Sequence, residues 1–169
     1  MPVPNPDHLL DQADRLITAP IGGAPRQIDL RRAISSAYYA IFHAVATEAA
    51  DVIVGRTKRD TSIYQLVYRS INHNSLRKLC EIFENKKPPT KYKEYFPKSG
   101  FDSNLKNLAA AFVELQQMRN NADYDPLYRV SSSDAVLVVA TSRAALNSLR
   151  NTSRARRKEF VALAVFRPR

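Results

Sequence analysis

Residues 29–44 read DLRRAISSAYYAIFHA, and this stretch decides the fold class of the chain. At about 100° per residue, a helix through it carries one apolar stripe. That stripe comprises Ile34, Tyr38, Ile41, Val45 and Val52. The opposite stripe mixes rings with polar groups and comprises Arg32, Ser36, Tyr39, His43 and Ala50. We therefore predict a central helix from about Gln27 to about Val54, ended by Gly55, with the core on its first face and a partner or cleft on its second. The alternative is that Tyr39 and His43 merely cover the bundle and bond to neighbouring groups.

The flanking sequence predicts four further helices and no sheet. The first begins at Asn5-Pro6-Asp7, where Asn caps and Pro suits the first turn, and it ends before a loop at residues 20–25. Another begins at Asp60 or Thr61, is interrupted at residues 72–75 and resumes to Phe83. A further helix runs from about Asp102 to near Asp125-Pro126, because proline disfavours helix in the preceding residue. The last opens on the capping sequence SSSD at residues 131–134 and continues through Leu149.

Two segments fall outside these helices. Residues 86–100 contain three prolines and a glycine, which predicts a loop. Residues 150–169 form a basic tail, whose apolar end at Phe160–Phe166 is either a helix extension or a short strand. With 169 residues, we predict a single all-α domain spanning residues 1–169, with about five helices.

Composition points to the cytoplasm and to an acidic partner. The single cysteine excludes an internal disulfide framework and fits a reducing compartment. No secretory signal pattern opens the chain, and no apolar run is long enough to span a membrane. The net charge of +10 is uneven: residues 1–55 hold four arginines and six acidic residues, a net of −2, so residues 56–169 carry +12. Nucleic acid is the commonest partner for such a surface, although the charge alone also serves solubility.

Arg119 is the residue of the fourth predicted helix that breaks the usual pattern. It lies within about 20° of the line through Phe101, Leu108 and Phe112 on a helical wheel, so it continues the apolar face. A guanidinium there needs partners. The candidates are Asp123 at i+4 and the adjacent Asn120, Asn121 and Tyr124. The sequence leaves two interpretations open: an ion pair that fixes the helix end, or an arginine that faces a phosphate.

Two basic segments are candidates for contacts with nucleic acid. The 86–100 loop interleaves lysines with rings, which could bind phosphates and stack on unpaired bases, or could pin the loop to the bundle. The tail has a basic run that is either a phosphate contact or a solvated helix end. The residues concerned are Lys91, Tyr92, Lys93, Tyr95, Arg154, Arg156 and Arg157, together with Arg32. We predict neither a metal nor a cofactor, because three scattered histidines and one cysteine lack ligand spacing and no glycine-rich phosphate loop occurs.

Residues 29–44 resemble the signature helix of HEPN domains. Residues 112–124, FVELQQMRNNADY, resemble the second signature of that family, an Arg followed by Ala-Asp-Tyr at a helix end. The resemblance implies an up-and-down helical bundle, usually a homodimer. Members include ribonucleases, RNA-binding modules and toxins of toxin–antitoxin pairs, so RNA and a nucleotidyltransferase-like antitoxin are the implied partners.

The catalytic motif of the family is incomplete in this chain. In catalytic members a His follows the Arg after four to six intervening residues, and those positions here are Tyr124, Asp125 and Pro126. Tyr is a poor base at neutral pH. Three hypotheses follow: an RNA-binding protein with altered or lost metal-independent ribonuclease activity, a non-catalytic interaction protein, and a toxin that cleaves RNA through other residues. The candidate catalytic residues are Arg119, Tyr124 and His43, surrounded by a polar network of Tyr39, Asn120, Asn121 and Asp123.

Overall fold

The computed structural model describes residues 3–18, 23–84, 88–166 and 168, and the prediction of an all-helical chain is confirmed over these ranges. The helices are α1 (Pro6–Ile17), α2 (Gln27–Ile53), α3 (Ser62–Ser70), α4 (His73–Glu84), α5 (Thr90–Lys93), α6 (Ser103–Tyr124), α7 (Ser132–Asn151) and α8 (Arg154–Val165). A 3₁₀ turn at Arg56–Lys58 follows α2. None of the helices in these ranges is long and apolar enough to cross a membrane.

The predicted helix ends are confirmed where they depend on local capping. The side chain of Asn5 accepts from the amide of Asp7, and Thr61 rather than Asp60 caps α3. Asp102 caps α6, and Ser131 forms the capping box of α7. Gly55 follows α2 with φ +112°, a conformation that side chains disfavour.

Helix α2 lies at the centre of the bundle and contacts α1, α3, α6, α7 and α8. Four of the five residues predicted for its apolar stripe are buried, since Ile34, Tyr38, Ile41 and Val45 are at most 1% exposed, and the fifth, Val52, is half-buried. Six further positions of α2 that are 0% exposed are alanines, namely Ala33, Ala37, Ala40, Ala46, Ala49 and Ala50. Small side chains there let neighbouring helices pack closely around α2, which fixes the positions of its polar residues.

The described residues form eight helices where about five were predicted. The third predicted helix is divided in two, because the Asn72 side chain accepts from the amides of Asn74 and Ser75 and so begins α4 anew. The predicted 86–100 loop contains the single turn α5. The basic tail is a packed helix, α8, whose Phe160 and Val161 are fully buried. Parts of the predicted loops, at residues 20–22 and 86–87, lie outside the described residues, as do Arg167 and Arg169 of the tail.

Candidate functional site

Arg119 lies near the end of α6 and turns toward α2. One Nη donates to the hydroxyl of Tyr39 at 2.7 Å, and the other donates to Oδ1 of Asn120 at 3.1 Å. Nε lies 2.7 Å from Oδ2 of Asp123, although the Nε–H bond is not aligned for a hydrogen bond. The predicted i,i+4 ion pair is therefore present, and the side chains of Arg119 and Asp123 are 17% and 20% exposed.

Three tyrosine rings surround the guanidinium of Arg119. Its central carbon lies 5.9 Å from the ring centre of Tyr38, 5.4 Å from that of Tyr39 and 5.0 Å from that of Tyr124. Rings at these distances attract a cation through their faces. Tyr124 is 70% exposed, so this part of the site lies at the protein surface.

Helix α2 anchors the end of α6 that carries these residues. The Ser35 hydroxyl donates to Oδ1 of Asp123, which places that carboxylate between Ser35 and Arg119. Arg31 donates through Nε to the carbonyl of Ala122 and through Nη2 to the carbonyl of Asp125, each at 2.6 Å. These carbonyls belong to a helix end, where backbone acceptors lack partners within the helix. The sequence did not predict the roles of Arg31 and Ser35. It shows that the carbonyls at a helix end near residue 125 need donors, but it does not show which distant side chain supplies them.

Two imidazoles lie beside Tyr39. The His43 and His73 rings are centred 5.9 Å and 6.0 Å from the Tyr39 ring. Nδ1 of His43 shares a hydrogen bond with the Tyr68 hydroxyl, and Nδ1 of His73 shares one with the Tyr38 hydroxyl at 2.6 Å. His73 also stacks on Phe42, with ring centres 3.7 Å apart. Sequence reasoning missed His73, which comes from α4 and sits beside α2 only through tertiary packing.

The histidine environments favour neutral imidazoles. Burial lowers the pKa of His43, and burial followed by the positive charge of Arg119 lowers the pKa of His73. Burial also raises the pKa of Tyr68 to about 12 and raises that of Tyr38 further, so both hydroxyls keep their protons at neutral pH. When a tyrosine oxygen accepts from Nδ1–H, the Nε2 atom of that imidazole keeps a lone pair and can act as a base.

We expect stability to fall as the pH is lowered through the unfolded-state pKa of histidine. Because His43 and His73 have lower pKa values in the folded state, the unfolded chain binds more protons below about pH 6.5. Stability continues to fall until the pH reaches the pKa values that the two histidines have in the folded state. The measurement is thermal melting of the wild type and of His43→Gln from pH 7.5 to pH 5, with His8→Gln as the control at an exposed histidine. An equal loss of melting temperature in all three proteins would contradict this prediction for His43.

Several predicted site residues lie elsewhere or have other roles. Asn121 does not join the Arg119 network, because its Oδ1 accepts from Gln117 at 3.0 Å. Tyr92 is only 7% exposed and packs against Phe96, so its predicted role as a stacking platform for bases is wrong. Lys91, Lys93 and Tyr95 are exposed, so the loop keeps its basic surface.

The arginines of the tail and of α2 are divided between internal pairs and solvent. Arg157 pairs with Glu48 at 2.7 Å, and Arg156 pairs with Glu159 at 2.9 Å. Arg32 and Arg154 are exposed. Of these four arginines, Arg32 and Arg154 make no ion pair with another of the described residues, so these two are the ones available to a ligand within that part of the chain.

A scan against protein-family models matched no family, and searches of curated proteins and of solved structures found no match. The HEPN resemblance therefore stays a prediction that rests on residues 29–44 and 112–124.

Proposed function

We propose that this chain is a cytoplasmic, HEPN-like RNA-binding protein in which Arg119 contacts a backbone phosphate. The observation that carries the proposal is that one guanidinium, three tyrosine rings and two imidazoles lie close together where α2, α4 and α6 meet. A cation binds phosphate, exposed rings such as Tyr124 stack on bases, and the +12 charge of residues 56–169 attracts a polyanion.

The proposal includes a slow, metal-independent endoribonuclease step of altered design. A 2′-hydroxyl attacks the adjacent phosphorus, a base takes its proton, and the 5′-oxygen leaves with a proton from an acid, which gives a cyclic phosphate and a 5′-hydroxyl. A neutral imidazole, that of His43 or His73, is proposed as the base in place of the missing downstream histidine, and water supplies the proton to the leaving 5′-oxygen. Arg119 stabilises the negative charge that builds on the phosphoryl oxygens. Tyr124 is proposed as a ring platform, because its side chain is 70% exposed and an exposed ring can stack on a base.

A non-catalytic interaction protein is the second candidate function. It is favoured by the closed network of Arg119, whose guanidinium already contacts Tyr39, Asn120 and Asp123 within the chain. In that case the cluster only fastens α6 to α2.

The test is binding and degradation of a labelled single-stranded RNA by the purified protein at low salt. We expect binding that weakens as salt rises, because phosphate contacts release counterions, and cleavage that persists in EDTA. A protein that neither binds nor cuts RNA at low salt would refute the proposed function and leave the interaction protein.

We also propose that the chain forms a homodimer through the surface beside Arg119. Three exposed apolar side chains support this, with exposed fractions of 85% for Leu127, 70% for Tyr124 and 58% for Ile28. The segment that carries Leu127 is fastened to the start of α2, because Gln27 exchanges two hydrogen bonds with the backbone of Val130. If the chain is a toxin, a nucleotidyltransferase-like antitoxin is its proposed protein partner.

We expect Leu127→Asp to convert the dimer into a monomer, because the change places a charge at the most exposed apolar position of this surface. Light scattering at micromolar concentration measures the mass. Leu66→Asp is the matched control, since Leu66 is 67% exposed on α3 and should leave the dimer intact. A wild-type monomer at that concentration would contradict the dimer.

A further inference from the structure

A pocket of about 210 Å³ lies between α2, α3 and the residues that precede α1. His43 lines it from α2, while Gln65, Tyr68 and Arg69 line it from α3. The rest of the lining comes from Val3, Pro4, Arg59 and Tyr64. Tyr124 does not line this pocket, whereas His43 lines it and also lies beside Tyr39, which bonds to Arg119.

The size and lining of the pocket suit one planar heterocycle. A cavity of about 150 Å³ holds benzene, so a pocket of 210 Å³ accommodates a somewhat larger ring and is smaller than the pockets that usually bury drug-sized ligands. The His43 and Tyr68 rings are nearly parallel, with an interplanar angle of 8°. Aromatic walls stack on bases of any sequence, and the Gln65 amide has both a donor and an acceptor for the edge of a base.

The cations of the pocket favour a ligand that also carries phosphate. Arg69 is exposed and makes no hydrogen bond or ion pair with any of the described residues. Arg59 differs, because Asp51 accepts from two of its nitrogen atoms. Arg69 is therefore the arginine of this pocket that is available to an incoming phosphate.

The pocket continues the site along α2. Arg119 bonds to Tyr39, the Tyr39 ring lies 5.9 Å from the His43 ring, and His43 bonds to Tyr68 in the pocket wall. Tyr39 and His43 are four residues apart, which is about one helical turn, or roughly 5–6 Å along the axis. A strand whose phosphate contacts Arg119 thus has a neighbouring base within reach of the pocket.

We propose that this pocket binds one unpaired base of the RNA strand, with Arg69 contacting the phosphate attached to that nucleotide. This inference rests on the proposed function and adds a base site to it.

The experiment compares a short single-stranded RNA with a series in which each nucleotide in turn lacks its base. Fluorescence anisotropy measures the affinity of the wild-type protein at low salt. We expect the abasic change to weaken binding by about 5- to 150-fold at the position that occupies the pocket. In Gln65→Trp, the new indole fills the pocket, so intact RNA should bind more weakly and the abasic change at that position should have no effect.

Leu66→Trp is the matched control, because it adds the same ring at the next residue, whose side chain is 67% exposed and outside the pocket lining. It should bind both RNAs as the wild type does. If wild-type protein binds RNA and no abasic position matters, the base site is refuted while the proposed function stands. If Gln65→Trp is folded and still distinguishes the abasic position, the base lies elsewhere. Absence of any RNA binding refutes the proposed function first.

Discussion

Arg119→Ala is expected to weaken RNA binding by about 10- to 150-fold and to slow any cleavage by about 100-fold or more. The guanidinium offers charge-assisted hydrogen bonds to a phosphate, each worth about 1.5–3 kcal/mol, and one oriented donor to a reacting oxyanion commonly contributes 100- to 1,000-fold in rate. The salt dependence of binding should fall by about one phosphate contact. Arg119→Lys should retain part of the affinity, because it keeps the charge and loses the planar fork.

The loss of stability in Arg119→Ala needs a separate control, because the change leaves the Asp123 carboxylate without its ion-pair partner. The double variant Arg119→Ala/Asp123→Asn removes that charge and keeps an oxygen that can accept from Ser35. We expect its melting temperature to recover while its RNA affinity stays low. If the double variant instead recovers both, Arg119 has only a structural role and the proposed phosphate contact is wrong.

The parts of the fold that follow from neighbouring residues were predictable. Asn5, Asp102 and Ser131 each bond to an amide two or three residues away, so their capping role can be derived from a short window. The Arg119–Asp123 contact has the same local origin. The break at Asn72 is also local, yet the apolar spacing on both sides was close enough to suggest one helix.

The parts of the site that depend on distant packing were not predictable. His73 reaches Tyr38 across 35 residues, and Arg31 reaches Ala122 across 91. A helical wheel shows on which face of its own helix a side chain lies, but it does not show which other helix packs against that face. For Tyr92 the error has the opposite sense. Its position between two lysines suggested an exposed ring that could stack on bases, but the ring is buried against the bundle. Arg119 and its direct partners Asp123, Asn120 and Tyr39 were therefore predictable. Arg31 and Ser35, which fasten the end of α6 to α2, were not.

Arg31→Met is expected to lower the free energy of unfolding by about 2–4 kcal/mol. Two short hydrogen bonds from a cation to the carbonyls of Ala122 and Asp125 are lost, together with a longer one to the carbonyl of Tyr128 at 3.4 Å. The carbonyls of Ala122 and Asp125 also lie at the negative end of the α6 dipole, which a nearby guanidinium stabilises. Methionine keeps the apolar stem of the side chain, so the loss reports on the guanidinium and not on packing.

Arg32→Met tests the neighbouring arginine in the same way. Arg32 is exposed, so its replacement should change the urea midpoint little while removing the same formal charge. Hydrogen exchange measures the local effect. In Arg31→Met the backbone amides of residues 119–124 should exchange faster than the amides of α7, because the end of α6 loses its attachment to α2. Since Arg119 and Asp123 lie on that end, RNA affinity should fall with it. Equal stability and equal exchange in the two variants would show that Arg31 does not hold the site in place.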